Sequence, residues 1–149
     1  MAGADWMYKS NFDVQYRNLE IDSTGLKYPL KSFIMQLNSS YFIWIGDSSK
    51  QFFGLSVSIP SHNELVSTSS ILHSNSLFPS ARSSPETTLS KRLAKRLSCP
   101  VYLSLSVDRS MLDNWDLVDP ITRKTLSEEV ETQLLCNFSD VLRIQRNSK

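Results

Sequence analysis

The chain has 149 residues, 40% of them apolar, and its sixteen Lys and Arg stand against fifteen Asp and Glu. A chain of this length suits one domain with a core of its own. So even a charge balance excludes a protein that holds nucleic acid by bulk charge.

Taken in chain order, the residues up to 10 carry no pattern, and "FDVQY" then alternates Phe12, Val14 and Tyr16 against Asp13 and Gln15, which predicts a first strand. "LKSFIMQL" and "YFIWIG" are rich in aromatic and β-branched residues, and only Asn38, Ser39 and Ser40 separate them, a length suited to a hairpin. "FFGLSVSI" alternates Phe53, Leu55, Val57 and Ile59 against Phe52, Gly54, Ser56 and Ser58 until Pro60 ends the ladder. Together these predict an antiparallel meander. Residues 61–85 hold nine serines, and their "ELV" and "SILH" pieces are expected to do no more than anchor a loop, flexible over 73–85.

Ser84 before Pro85 reads as a helix N-cap with proline at the first helical position. In the helix that follows, Leu89, Leu93, Leu97 and Ala94 gather on one side, while Lys91, Arg92, Lys95 and Arg96 avoid it. The apolar stripe covers a sheet and the cations face solvent. "PVYLSLSV" puts Val101, Leu103, Leu105 and Val107 on one face and Tyr102, Ser104 and Ser106 on the other, a fifth strand. "NWDLV" suggests a short sixth strand. Asp119-Pro120 is expected to open a second helix along Thr122, Leu126, Val130, Leu134 and Phe138, with 139–149 a frayed tail. The order predicts a single α+β domain over 1–149, an antiparallel sheet of about six strands with two helices on one face.

No sequence motif supports catalysis, a metal or a cofactor. His62 and His73 lack zinc-helix spacing, His62 and Glu64 make a weak acid-base pair, and no nucleophile elbow, phosphate-binding loop or dinucleotide fingerprint occurs. Cys99 and Cys136 have no ligand spacing and follow no secretory leader, which predicts reduced, buried thiols in a cytosolic or nuclear protein. In that setting the glycosylation patterns at Asn38 and Asn137 carry no weight. The longest apolar run, "YFIWI", is far too short to span a bilayer.

"YFIWIG" is apolar on both faces, yet a two-layer domain covers only one. With Ser56, Ser58, Ser104 and Ser106 taken as a low surround, Phe42, Trp44 and Tyr102 would rise as a platform onto which a second sheet could stack. The alternatives are a lid formed by residues 61–85, or partial exposure of the rings that is simply tolerated. The basic helix leaves two further readings: docking on an acidic protein, or an adaptor that binds a membrane surface or a trafficking partner. Nucleic acid is not indicated, because no second cationic cluster or interleaved aromatic set accompanies the helix.

"SSYFIWIG" at 39–46, "LVSTSSIL" at 65–72 and "LSKRLAKRLSCPVYLSLSV" at 89–107 resemble, in the same order, motifs of the proteasome assembly chaperone 4 family. The likeness extends over roughly 30–136, and the chain departs in a longer serine-rich insert at 73–85, a longer loop after Val107 and an extended tail. It implies a non-enzymatic, cytoplasmic or nuclear chaperone that pairs sheet to sheet with proteasome assembly chaperone 3. The pair would bind proteasome α-subunits, α5 by family analogy, promote assembly of the 20S α-ring, and leave when β-subunits arrive. The expected partner-chaperone interface is Phe42, Trp44, Ser56, Ser58, Tyr102, Ser104 and Ser106. Lys91, Arg92, Lys95 and Arg96 are, by their exposure alone, the candidate α-subunit contact.

Overall fold

The computed structural model describes residues 14–23, 25–49, 51–62, 66–73 and 84–147. Among them six strands, β1 (Val14–Ser23), β2 (Leu26–Gln36), β3 (Tyr41–Gly46), β4 (Gly54–Pro60), β5 (Val66–His73) and β6 (Val101–Ser106), form one sheet in the order β1-β2-β3-β6-β4-β5. Three helices accompany it: α1 (Pro85–Leu97), α2 (Arg109–Asp113) and α3 (Leu126–Asn147). The α+β class stands, and the sheet is antiparallel except for one parallel pair, β3 with β6.

That pair corrects the expected meander, because β6 inserts between β3 and β4. The connection running through β4, β5 and α1 brings β6 back beside β3, as a parallel pair requires. "SILH" anchors no loop; it lies in β5, paired along β4 from Pro60↔Val66 to Gly54↔His73. A lid made of the whole of 61–85 is thereby excluded. Residues 74–83, in the middle of the expected flexible loop, lie outside the described residues.

The β1/β2 hairpin is longer than its sequence pattern suggested. Ser23 pairs with Leu26, and Gly25, at φ +74°, supplies the left-handed conformation that so tight a link needs. Pro29 sits in β2 where this hairpin outruns β3, whose ladder begins at Lys31↔Gly46, so its missing N–H interrupts no bond on that side.

The core lies between one face of the sheet and the helices. Leu19, Ile21, Leu30, Ile34, Ile43, Ile45, Val101 and Leu103 meet Leu89, Leu93 and Ala94 of α1 and Leu126, Val130, Leu134 and Phe138 of α3, all sealed from solvent. Tyr41 joins them edge-on to Phe138, with ring centroids 4.9 Å apart. At the start of α1 the Ser84 hydroxyl accepts from the Thr87 amide at 3.2 Å, as an N-cap should.

The region after β6 folds differently from its sequence reading. "NWDLV" holds only an isolated bridge, Val118↔Thr125, because Trp115 turns inward and is buried with the core. Asp119-Pro120 opens a turn in which Asp119 Oδ1 accepts from the Ile121 and Thr122 amides at 2.7 and 3.4 Å. The start signal of α3 is Thr125, whose hydroxyl accepts from the Glu128 amide while Glu128 Oε2 accepts from the Thr125 amide, both at 3.1 Å. That reciprocal capping box fixes the helix six residues later than expected, and α3 then runs on to Asn147, through most of the expected tail. Cys99 is half-buried and Cys136 exposed, so the expectation of two buried thiols fails for Cys136.

Candidate partner-binding face

All the helix contacts in the core fall on one side of the sheet, and among the described residues no helix lies on the opposite side. There the register builds a row straight across five strands: Val14 pairs with Met35, Met35 with Phe42, Phe42 with Tyr102, and Tyr102 with Val57. Two residues along, Tyr16 pairs with Phe33 and Phe33 with Trp44. The rings interlock edge-on, Tyr16 with Phe33 at 5.0 Å between centroids and Phe33 with Phe42 at 6.2 Å. Tyr16 is exposed, as is Ile59 beyond Val57; Phe33, Phe42, Trp44, Tyr102, Leu55 and Val57 are each half-buried. Scattered exposed apolar residues are ordinary; a contiguous band of rings is not.

The expected interface residues divide into three sets. Phe42, Trp44 and Tyr102 lie on the open face, as the alternation of β3 and β6 implied. Ser56 and Ser58 do not: their cross-strand partners are Leu103 and Val101, which belong to the core, so both serines point toward α1. Ser58 Oγ meets Ser90 Oγ of α1 at 2.5 Å, and Ser56 Oγ donates to the Leu103 carbonyl at 3.5 Å. Small polar side chains here let α1 pack close against β4, which throws Leu55, Val57 and Ile59 onto the open side. Sequence reasoning missed that inversion because alternation gives the period of a strand but not which face is covered.

Ser104 and Ser106 are on the open face but already buried. Their hydroxyls lie 2.9 Å apart, and Ser106 Oγ accepts from the Phe53 amide at 3.1 Å. Beside them the Trp44 indole lies over Gly46 and donates to the Gln51 carbonyl at 3.2 Å. A Cβ on Gly46 would collide with that ring, so the glycine is what lets the indole lie flat. This end of the face is thus closed by the chain's own 51–53 segment, and the band open to a partner is centred on Phe33, Phe42, Tyr102 and Val57.

On the other side of the molecule the four cations of α1 are exposed, as their spacing predicted. Arg92 and Arg96, at 43% and 63% exposure, converge on the buried Glu131 of α3 at 3.3 and 3.1 Å and tie the two helices together. Lys91 and Lys95 make no ion pair among the described residues.

One carboxyl in the structure has unusual electrostatics. The β4/β6 ladder ends at Ser56↔Leu103, and past it the Leu105 amide donates to Glu86 Oε2 at 3.0 Å. Burial pushes the Glu86 pKa up to about 7 against the pull of that amide, and Oε1 is buried without a hydrogen-bond partner. Burial likewise raises the Cys99 thiol and the Tyr41 hydroxyl, so neither is activated as a nucleophile. His62 and His73 lie at opposite ends of the β4/β5 hairpin, roughly 20 Å apart along a strand of this length. They cannot share a catalytic site, and Glu64 lies outside the described residues. Among the described residues no helix is long and apolar enough to cross a membrane.

The family model of proteasome assembly chaperone 4 matches residues 30–107, from the core of β2 to the end of β6 and so more than half of the chain. The chain belongs to the proteasome assembly chaperone 4 family. Its role is therefore that of a chaperone in proteasome assembly. Among solved structures the chaperone is similar to a chain of a chaperone complex for yeast 20S proteasome assembly. The two are 12% identical, with 90% of this chain and 96% of that chain covered and a TM-score of 0.47. No curated protein sequence matches it.

Proposed function

We propose that the chaperone works without catalysis as half of a heterodimer with proteasome assembly chaperone 3, and that the pair binds a proteasome α-subunit, α5 by family analogy, to promote 20S α-ring assembly. The observation that carries the reading is the half-buried band of Phe33, Phe42, Tyr102 and Val57, crossing the sheet with no helix of the described residues over it. Each ring transferred from water into a partner contributes on the order of a few kcal/mol. A second sheet has the matching shape, since sheets stack face to face about 10 Å apart.

Binding alone suffices for the task. A pair that holds an α-subunit in one orientation favours its correct neighbours, and it departs when β-subunits compete for the same surface, provided its own contacts are the weaker. The cytoplasm and nucleus are the compartments this reading requires. Lys91 and Lys95 are the cations of α1 most available to such a client, since Arg92 and Arg96 are engaged by Glu131.

The test is co-expression with assembly chaperone 3. Wild type should co-elute with it and capture α-subunits free of mature β-subunits, and Phe42→Asp should elute alone while staying folded. A Phe42→Asp chain that still pairs would overturn the sheet-to-sheet reading. Salt-sensitive binding to anionic vesicles, lost on charge reversal at Lys91 and Lys95, would favour the adaptor alternative instead.

A further inference from the structure

Along its β4 side, β6 changes its attachment. Val101 to Leu103 pair with Ser58 to Ser56, and at the far end the Ser106 hydroxyl accepts from the Phe53 amide at 3.1 Å. Between these two attachments stands Glu86, from the first turn of α1, whose Oε2 accepts from the Leu105 amide at 3.0 Å. Its carboxyl thus fills the gap where the two strands part. Glu86 is 7% exposed, and Oε1 is buried with no hydrogen-bond partner among the described residues. Such a place costs an ionised carboxylate far more than a neutral acid, and burial accordingly raises the Glu86 pKa to about 7 against the lowering effect of the Leu105 amide. The ionisable groups around it are few. Gly54, Ser56 and Ser58 of β4 and Val101, Leu103 and Leu105 of β6, all on the helix side, carry none. The four cations of α1 are exposed, with Arg92 and Arg96 turned to Glu131 of α3, and Asp108 after β6 accepts from the Met111 amide to cap α2. On β5 the titratable residue is His73, paired with Gly54.

We propose that Glu86 is a proton-operated latch in the gap between β4 and β6. Protonated, it clasps α1 to β6 and keeps the 51–53 segment closed over the Trp44 end of the open face. Ionised, it swings into water, the gap loses its plug, and that segment lifts. The link to the face is short, since Phe53 is held by Ser106, the neighbour of Leu105, and the Gln51 carbonyl two residues back holds the Trp44 indole at 3.2 Å. Outside the gap the carboxylate still sits at the start of a helix, where the dipole favours a negative charge. The opening stays local, because β3 keeps β6 in place through Ile45↔Leu105 and Gly46↔Ser106. Closure is fully favoured below the ordinary 4.5 and is lost as the pH rises through about 7, the value in the closed state. Between pH 6 and 8 the open population should rise about tenfold.

Hydrogen exchange of the full chain, followed by NMR and corrected for the intrinsic pH dependence of exchange, reads the latch at three protons: the Leu105 amide, the Phe53 amide and the Trp44 indole N–H. All three should exchange well ahead of the Ile43 amide in the middle of β3, at rates that low urea leaves unchanged, which marks a local opening. Their protection should fall about tenfold between pH 6 and 8. Glu86→Gln should abolish the fall, and His73→Gln should preserve it. Ser106→Ala, which cuts the Phe53 link and leaves Glu86 in place, should keep Leu105 responsive and make the indole indifferent to pH. Should Glu86→Gln fail to fold, the wild-type titration and the other two variants still decide. Protection of the indole that ignores pH in the wild type would overturn the proposal, as would a fall that survives in Glu86→Gln or vanishes in His73→Gln. So would an indole that still follows pH in Ser106→Ala, or three protons that exchange in step with Ile43 and speed up in urea, since the whole chain would then be unfolding.

Discussion

On the helix-covered face of the sheet, Ile43, Val101 and Leu103 are sealed from solvent, while one residue along the same strands Phe42 and Tyr102 stay half in water. Both sets are apolar and both are held by the same ladders, so the difference is not one of composition. The covered face is finished within the chain, by α1 and α3; the open face has the side chains of a core and, among the described residues, no second layer. β4 makes the contrast sharpest, because its large residues point away from the chain's own core and its serines point into it. A protein that stood alone would gain by the opposite orientation. The arrangement makes sense when the second layer belongs to another polypeptide.

The largest effect expected from breaking this comparison is on the covered face. Leu103→Ala should destabilise the isolated chain by about 2–5 kcal/mol, since the cavity forms among close-packed neighbours; Phe42→Ala, one residue across the pleat on β3, should leave its denaturant midpoint almost unmoved and weaken pairing at least tenfold. Equal stability losses from the two variants would erase the distinction between the faces.

Next in size is the pH dependence built into the covered side by Glu86. Its folded pKa of about 7 lies above the ordinary 4.5, so the folded protein holds the proton more tightly than the unfolded chain does. The stabilisation is complete below the lower value and is lost as the pH rises through about 7, a decline of about 3 kcal/mol from this group. Chemical denaturation between pH 5 and 8 should show that decline. Glu86→Gln keeps an acceptor for the Leu105 amide and should flatten it; an unaltered slope in the variant would assign the dependence to other groups.

A smaller effect sharpens the open side. Gly46→Ala should push the indole of Trp44 off its strand and break its bond to the Gln51 carbonyl, at a cost of about 1–3 kcal/mol. A red-shifted tryptophan emission together with weaker pairing is the expected signature. An unshifted spectrum would mean that the ring does not lie over Gly46 in solution.

Much of this was legible in the sequence, and what was not has physical causes. β3 and β6 carried strong alternation and β-branched residues, and the leucine stripe of α1 separated cleanly from its cations, so those elements and their faces read correctly. β5 hid in a serine-rich segment because it lies at the sheet's edge and owes its place to the β4 ladder rather than to an apolar pattern of its own. The start of α3 was misread at Asp119-Pro120, where a buried carboxyl organises a turn, and the true signal was Thr125 with Glu128. Trp115 looked like a strand residue and is a core anchor after a short helix. For the candidate site, Phe42, Trp44 and Tyr102 were readable, while Tyr16, Phe33 and Val57 became visible only once the register set them in one band. Ser56 and Ser58 were placed on the wrong side because large-in, small-out is the usual rule and this sheet reverses it at β4.

The most direct test is a pair of neighbouring substitutions in β4, Val57→Asp and Ser58→Asp, measured by thermal unfolding of the isolated chain and by co-elution with assembly chaperone 3. An open apolar face predicts that Val57→Asp folds and fails to pair, whereas Ser58→Asp, which forces a charge beneath α1, unfolds the chain. The contrary result, with Val57→Asp unfolded and Ser58→Asp folded and pairing, would turn β4 over and remove the face on which the proposed pairing is built.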